Sequence, residues 1–479
     1  GLALVLLFMM AYYGKGGAVA NLALGFNLLF IVGIFAQLDA TLTLPGIAGL
    51  VLTIGMSIDA NVLIFERIRE ELVHKTPIKE AIKRGYTKSY SSIIDSNITT
   101  FLVGAILYYL GQGQVKGFAL ILMIGIVSSI FASIFVTQLL FAYFIGNVRT
   151  TRFTFSCGII PQSFKHISFD FIKNRFYFYA FSFLIILVGG VCCYQQKGLV
   201  LGVDFAGGRS YIVQCAHPID SSLLKEKLAP SFEGRVEVRT YGANNVMHVT
   251  TSYLSQDYSA VADQKVAGKL IEALQGFTQS ESHTQDKFTI INSSRVGAAV
   301  ARDVQKSAQK AIVFALVGIF FYVVLRFRKW SFALAAVSAL VHDTCIVVAG
   351  FCIAHAFGFS YEVNEVFLAA ILTIIGYSIN DTIVIFDRIR EGLKAKNRAL
   401  TIEPMLVNRS ISSTLSRTLI TSFTTLLTVV MLFCFGGAAL RGFSFALLLG
   451  ILFGTYSSIC IAAPFLADLS TKRENSKLQ

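Results

Sequence analysis

Charge is what this chain has least of. Only 14% of its 479 residues are Asp, Glu, Lys or Arg, against 54% hydrophobic, and the mean hydropathy is +0.65. Soluble domains carry roughly a quarter of charged residues, so the composition excludes a soluble globular fold and points to a polytopic α-helical membrane protein. The eight cysteines form no CxxC and no metal-ligand spacing, and most lie in apolar runs, which predicts neither a disulfide nor a metal site. Phosphate-binding signatures are missing as well. Gly202-Val203-Asp204-Phe205-Ala206-Gly207-Gly208 sets glycines beside an acid, but it lacks the P-loop Lys-Ser/Thr and the GxGxxG spacing, so a tight structural turn is expected there. Nothing in the sequence requires a cofactor. The net charge of +13 comes from Lys and Arg in short loops between apolar runs, without exposed aromatics interleaved, and nucleic acid is not an expected partner.

What is present is a series of apolar runs at about 1–13, 18–38, 46–66, 91–111, 117–142, 176–194, 307–325, 331–354, 366–386, 416–436 and 443–467. The first is too short to span and is expected to be a helix cut by the start of the chain. Alternate loops differ sharply in charge. Basic residues crowd into 67–88, 149–175, 326–329, 388–409 and the tail, whereas the opposite short loops hold only Lys116 and Arg441. The positive-inside rule therefore places the basic loops in the cytoplasm and 197–306 outside.

The strongest pattern is a repeat. Gly55 to Leu72, GMSIDANVLIFERIREEL, recurs as Gly376 to Leu393, GYSINDTIVIFDRIREGL, with ten of eighteen positions identical. Both copies end in charged clusters on the basic side, so the chain is read as two homologous halves related by an axis along the membrane normal, with a site expected between them. Each copy carries a carboxylate inside its apolar run, Asp59 and Asp381. A buried intramembrane acid is costly unless protonated, paired or facing a wet cavity, which makes both functional candidates. Asp59 aligns with Asn380, so the two acids are offset by one residue, about 100° around the helix. Gly55, one turn before Asp59, should let another helix approach closely.

Three further candidates lie at membrane depth. Arg417 enters its apolar run where a guanidinium could favour an ionised carboxylate, with an interfacial anchor as the alternative. The aligned segment of the first half offers Asp95 and Asn97 instead. His342-Asp343 lies within the 331–354 run and reads either as a structural hydrogen-bond network or as part of a proton path.

Between 197 and 306 the runs shorten. Arg209–Cys215, Arg235–Tyr241, Val246–Ser252 and Lys287–Asn292 read as strands, Ser221–Leu228 and Ser259–Leu274 as helices, with a turn at Gly242–Asn245. That order, β-α-β-β-α-β, predicts a ferredoxin-like α+β module.

The residues from Thr41 to Gly46, Gly55 to Val62 and Asp95 to Thr100, followed by Gly202 to Gly208, Val296-Gly297, His342-Asp343, Gly376 to Glu391 and Ser416-Arg417-Thr418, resemble the SecDF protein-export membrane proteins of the bacterial Sec system, SecD-like first and SecF-like after. The resemblance implies a resistance-nodulation-division-type bundle. It divides the chain into a SecD-like half over 1–148, a cytoplasmic linker over 149–175, a first SecF-like helix over 176–196, the external module over 197–306, further SecF-like helices over 307–467 and a cytoplasmic tail over 468–479. It also implies a multi-pass protein of the bacterial inner membrane that assists unfolded preproteins leaving the Sec translocon. SecYEG, a YajC-like subunit, the preprotein and the lipid bilayer are the implied partners, and the protein is not expected to be an enzyme. The implied proton-path residues are Asp59, Asp381 and Arg417, with His342, Asp343 and Asp95 as further candidates; the coupling ion is H+, with Na+ as the alternative. The SecD first span and its large external domain have no counterpart in this sequence, which leaves preprotein capture open. The competing readings are a proton-coupled exporter of lipids or drugs, an intramembrane aspartyl protease, whose GxGD pattern is missing, and a passive scaffold for other Sec subunits.

Overall fold

The computed structural model describes residues 1–38, 43–111, 114–147, 155, 169–196, 198–215, 218–233, 236–241, 243–254, 257, 259–280, 288–359, 361–395 and 402–478. The first half comprises α1 (Leu2–Tyr13), α2 (Lys15–Gln37), α3 (Leu44–Val73), α4 (Ile78–Leu110) and α5 (Gln114–Phe131), which runs through a π turn at Ala132–Val136 into α6 (Thr137–Asn147). Local chemistry sets the ends. Thr43 caps α3 by accepting from the Gly46 amide at 3.2 Å, with Pro45 in the first turn, where its missing N–H costs nothing. α7 (Arg175–Gln195) leads to the module. The expected linker over 149–175 lies outside the described residues apart from Phe155 and 169–175.

The module consists of α8 (Val203–Ala206), β1 (Gly208–Gln214), α9 (Ser221–Leu228), β2 (Val236–Tyr241), β3 (Ala243–Thr251), α10 (Ala260–Ser280) and β4 (Thr289–Val296). Its sheet has the order β2-β3-β1-β4 with every pair antiparallel, the ferredoxin-like arrangement. Alternation along β1 turns Tyr211 and Val213 inward, opposite Val249 and Met247 of β3, and onto Leu224, Leu228, Val266 and Leu270 of the two helices. The glycine stretch before β1 is a single helical turn. Gly207 and Gly208 have φ of 71° and 136°, and a Cβ on Gly208 would stand 2.4 Å from the Thr251 carbonyl oxygen. β4 ends at Val296 instead of Asn292. Its polar end, which has no apolar alternation, is held by pairing with β1 and by the 2.8 Å bond between Ser294 Oγ and Ser210 Oγ. Pairing likewise starts β3 at Ala243, inside the expected turn; Gly242 lies outside the described residues.

The second half comprises α11 (Ala298–Phe327), α12 (Trp330–Ala356), α13 (Glu365–Ala395), α14 (Pro404–Phe435) and α15 (Ala438–Ser457), which continues through a π turn at Ser458–Ala462 into α16 (Ala463–Leu478). The π turns fall at corresponding places in the two halves. Among the described residues ten helices are long and apolar enough to cross a membrane, and α13 is the most enclosed of them. The protein is thus a polytopic, multi-pass helical membrane protein with a small α+β module.

Several helices overrun the expected limits: α3 continues from residue 66 to Val73, α13 from 386 to Ala395, and α4 and α14 begin more than ten residues early. Hydropathy marks where a helix leaves hydrocarbon, not where it stops. The charged turns beyond are held by pairs at helical spacing, Glu66–Arg69 at 2.9 Å, Glu80–Arg84 at 2.5 Å and Asp387–Arg390 at 2.5 Å. α3 packs on α5, α4 and α14, and α13 on α4 and α15, so each repeated helix leans on a helix of the opposite half. The stalk of the module is tied to the start of α13: the Gly202 amide donates to the Val363 carbonyl at 2.9 Å and the Val363 amide to the Val200 carbonyl at 2.8 Å.

Candidate functional site

The site forms where the repeat brings α3 against α14 and α13 against α4. Gly55 faces α14 so closely that a Cβ there would lie 3.0 Å from Thr428 Oγ1 and 3.2 Å from Thr425 Cα; at Gly376 it would lie 3.1 Å from Thr100 Cγ2 of α4. The Thr100 hydroxyl donates to the Gly376 carbonyl at 2.8 Å. The close approach expected at Gly55 therefore occurs in both copies.

One turn further, Asp59 accepts from two donors of the second half. Arg417 Nη2 donates to its Oδ1 at 3.0 Å, and the amide of Asn380, its own repeat mate, donates to its Oδ2. Asp59 is 8% exposed and Arg417 5%. Arg417 is thus inside the bundle as half of an ion pair, and the anchor alternative is set aside. The pair is shut away from bulk water, so removing either partner would leave an uncompensated buried charge. A small cavity of about 30 Å³, room for a water molecule, adjoins them and is lined in part by Ser57, Ser96, Asn97 and Tyr377.

Asp381 is 2% exposed, and its Oδ2 has no hydrogen-bond partner among the described residues; nor do Nε and Nη1 of Arg417. Arg417 and Asp59 both act electrostatically on Asp381, and Ser422 lies beside it. The one-residue offset seen in the sequence has this consequence: Asn380, not the second acid, faces Asp59 across the seam.

The other candidates separate from this cluster. Asp95 points away from the Arg417 layer. It accepts from Arg326 Nε at 2.5 Å and Tyr322 OH at 3.1 Å, forming a lock between α4 and α11. The reason is helical phase, because Ser96 is the repeat mate of Arg417 and Asp95 lies one residue, about 100°, off that face. Asp343 is fully buried and accepts from Ser378 at 2.6 Å and Ser457 at 2.9 Å, with His342 Nδ1 3.0 Å from its other oxygen. This second polar network joins α12, α13 and the end of α15, and touches α13 one turn before Asp381.

Sequence reasoning missed Asn380 as a contact of Asp59 and Arg326 as the partner of Asp95. The repeat alignment, which pairs Asn380 with Asp59, was the available signal for the first; nothing local marks the second. At the module's foot, burial pushes the Asp204 carboxyl above its ordinary range, against a hydrogen bond from the Glu365 backbone.

The family described as "Protein export membrane protein SecD/SecF, C-terminal" matches residues 1–147 and 277–472. A protein translocase subunit SecDF from Brucella abortus is 35% identical over 97% of this chain and 59% of its own length. A subunit SecF from Rhodothermus marinus is 40% identical over 64% of this chain and 96% of its own. The crystal structure of SecDF from Thermus thermophilus, described as a translocon-associated membrane protein, superimposes with a TM-score of 0.83 at 35% identity, covering 98% of this chain and 61% of that one. The chain thus spans about three fifths of the SecDF relatives it matches.

Proposed function

The chain belongs to the SecD/SecF family of protein-export membrane proteins, and from that premise we propose that it is an accessory component of the Sec translocase that uses a proton gradient to assist polypeptides emerging outside the membrane. In this reading it lies in the bacterial inner membrane with the 197–306 module external, works beside SecYEG and a YajC-like subunit, and performs no enzymatic step. The observation that carries the reading is the buried Asp59–Arg417 pair at the seam between the repeated halves, together with the buried Asp381, whose Oδ2 has no hydrogen-bond partner among the described residues.

The chemistry follows from the arrangement. A guanidinium prefers a charged neighbour, and in the arrangement described that neighbour is Asp59, while one oxygen of Asp381 has no partner among the described residues. If the halves move so that Arg417 shifts toward Asp381, the preferences exchange, and a proton is loaded on one acid and released from the other. Repeated halves supply that motion by rocking against each other. Each charge crossing 100 mV releases about 2.3 kcal/mol, enough to bias a two-state element strongly. The stalk tie at Val363 gives movement of α13 a direct route to the module. Asp343 and His342 are assigned a supporting role, holding α12 and α15 to α13 one turn from Asp381.

The test is Asp381→Asn in the full chain, which keeps shape and removes titration. Protein should remain in the membrane while export loses its dependence on the proton gradient. Undiminished dependence would remove Asp381 from the mechanism, and a dependence on sodium alone would change the coupling ion.

A further inference from the structure

At the basic-side ends of α3 and α13 four charged side chains close a ring. Arg67 Nη1 meets Glu70 Oε2 at 3.2 Å and Nη2 meets Glu391 Oε1 at 3.2 Å; Arg388 Nη2 meets Glu70 Oε1 at 3.0 Å and Nη1 meets Glu391 Oε2 at 3.1 Å. Each guanidinium and each carboxylate serves one partner on its own helix and one on the opposite helix. Arg67 and Arg388 are repeat mates, as are Glu70 and Glu391, so the ring straddles the pseudo-two-fold axis. Of the contacts described above, the one made directly between repeat mates is that of Asp59 with Asn380. It lies eight residues back along the same helices, about 12 Å away at 1.5 Å per residue.

We propose that Arg67, Glu70, Arg388 and Glu391 form the pivot on which the two halves rock, and that they act as positioning residues for the Asp59–Arg417 site. The proposal rests on the ion-coupling reading above for its purpose, but not for its geometry. Three observations support it. First, α3 and α13 each pack chiefly on other helices, so at this level they meet through long, jointed side chains. Such side chains follow a small rotation with their pairs intact. Second, opening the ring would break two cross-seam pairs together and leave the Arg67 side chain, only 10% exposed, without half of its counter-charge. Third, lever arms differ. A rocking of about 10° about the ring displaces groups 12 Å away by about 2 Å, which is the size of a rigid-body switch. That is ample to break the 3.0 Å bond between Arg417 and Asp59. One rotation therefore preserves the ring and resets the site.

The test uses the full chain in sealed vesicles that support export. Exchanging charges on one helix, Arg67→Glu with Glu70→Arg, keeps composition and the within-helix pair but sets like charges across the seam. The same exchange on the other helix, Arg388→Glu with Glu391→Arg, does likewise, and both exchanges together rebuild a reversed ring. Either exchange alone should lower gradient-dependent export about ten-fold, and the combination should recover it to within about two-fold. Full activity in either single exchange, or no recovery in the combination, overturns the ring as a positioning device.

Pivot is distinguished from gate with Val73→Cys and Lys394→Cys, repeat mates one turn beyond the ring, bridged by a short bifunctional maleimide. A pivot predicts bridging at the same rate, within about two-fold, with and without the gradient, and export retained once bridged. A several-fold change in bridging on energisation, or loss of export on bridging alone, overturns the pivot. Bridging is read without reference to export. A protein whose Asp59→Asn form still shows full gradient dependence would therefore refute the ion-coupling reading while leaving the ring tested on its own terms.

Discussion

The two copies of the repeat are close in sequence and unlike in chemistry. In α3 the acid stands at the repeat position, accepts from Arg417 and Asn380, and adjoins a cavity. In α13 that position is an amide, the acid has slipped by one residue, and one of its oxygens is unsatisfied among the described residues. Identity is kept where the halves must hold each other: the glycines at the close approaches, and the Arg and Glu of the ring. It is lost where a second carboxylate directly facing Asp59 would put like charges in contact. The scaffold is symmetric because the two halves meet about an axis, and the site is asymmetric because Arg417 pairs with the acid of one copy while the acid of the other is offset by one residue.

The largest effect is expected from moving the acid to the other copy. Asp59→Asn with Asn380→Asp preserves one carboxylate and one amide across the seam but carries the charge to α13. If the asymmetry is functional, gradient-dependent export should fall about fifty-fold, the factor equivalent to 2.3 kcal/mol, and unchanged export would show that the copies are interchangeable. Next in size is Arg417→Ala, which leaves Asp59 buried without its counter-charge and should destabilise the bundle by about 3–5 kcal/mol unless the acid protonates. Arg417→Lys should restore part of both stability and export, read by thermal denaturation in detergent and by transport. A merely structural arginine would recover stability without recovering gradient dependence.

The symmetry of the scaffold is tested by Gly55→Ala and Gly376→Ala. Each places a Cβ within about 3.0–3.1 Å of a threonine on the facing helix, and each should cost about 1–3 kcal/mol through overpacking. Similar losses in the two variants support a symmetric scaffold; a large loss in one and none in the other would not. The smallest effect belongs to the module, away from the axis. Hydrogen bonds from Arg295 and then Arg209 hold the Asp263 carboxyl below its usual range, and those from Ser259 do the same for Asp257. A lowered folded-state pKa contributes stability that is present above the ordinary value near 3.9 and is lost as pH falls through the folded value. Melting of the isolated module should therefore weaken below about pH 4, and Arg295→Ala should reduce that acid dependence. An acid-side slope that Arg295→Ala leaves untouched would exclude Asp263 as its source.

Much of this is legible in the sequence. The order of four short strands and two helices between Arg209 and Asn292 points to the module's topology, and the alternation of Tyr211 and Val213 marks the buried face of its sheet. The ends of α3 and α13 were not legible from hydropathy, since charged turns held by their own ion pairs continue a helix without an apolar signal. The alignment that pairs Ser96 with Arg417 already sets Asp95 one residue off that face; only the fold supplies its partner, Arg326.

The chain read alone specifies a membrane protein of two repeated halves, an α+β module, and a short set of acids and one arginine at membrane depth. Those follow from composition, period and recurrence, which are properties of the chain read locally. Which groups meet is a matter of packing: Asp59 with Arg417 and Asn380, Asp95 with Arg326, Asp343 with Ser378 and Ser457, and four charged side chains closed into a ring. Hydrogen bonds and ion pairs act over about 3 Å, and contacts between residues hundreds of positions apart are set by how helices are rotated and packed, information that no single stretch of sequence carries.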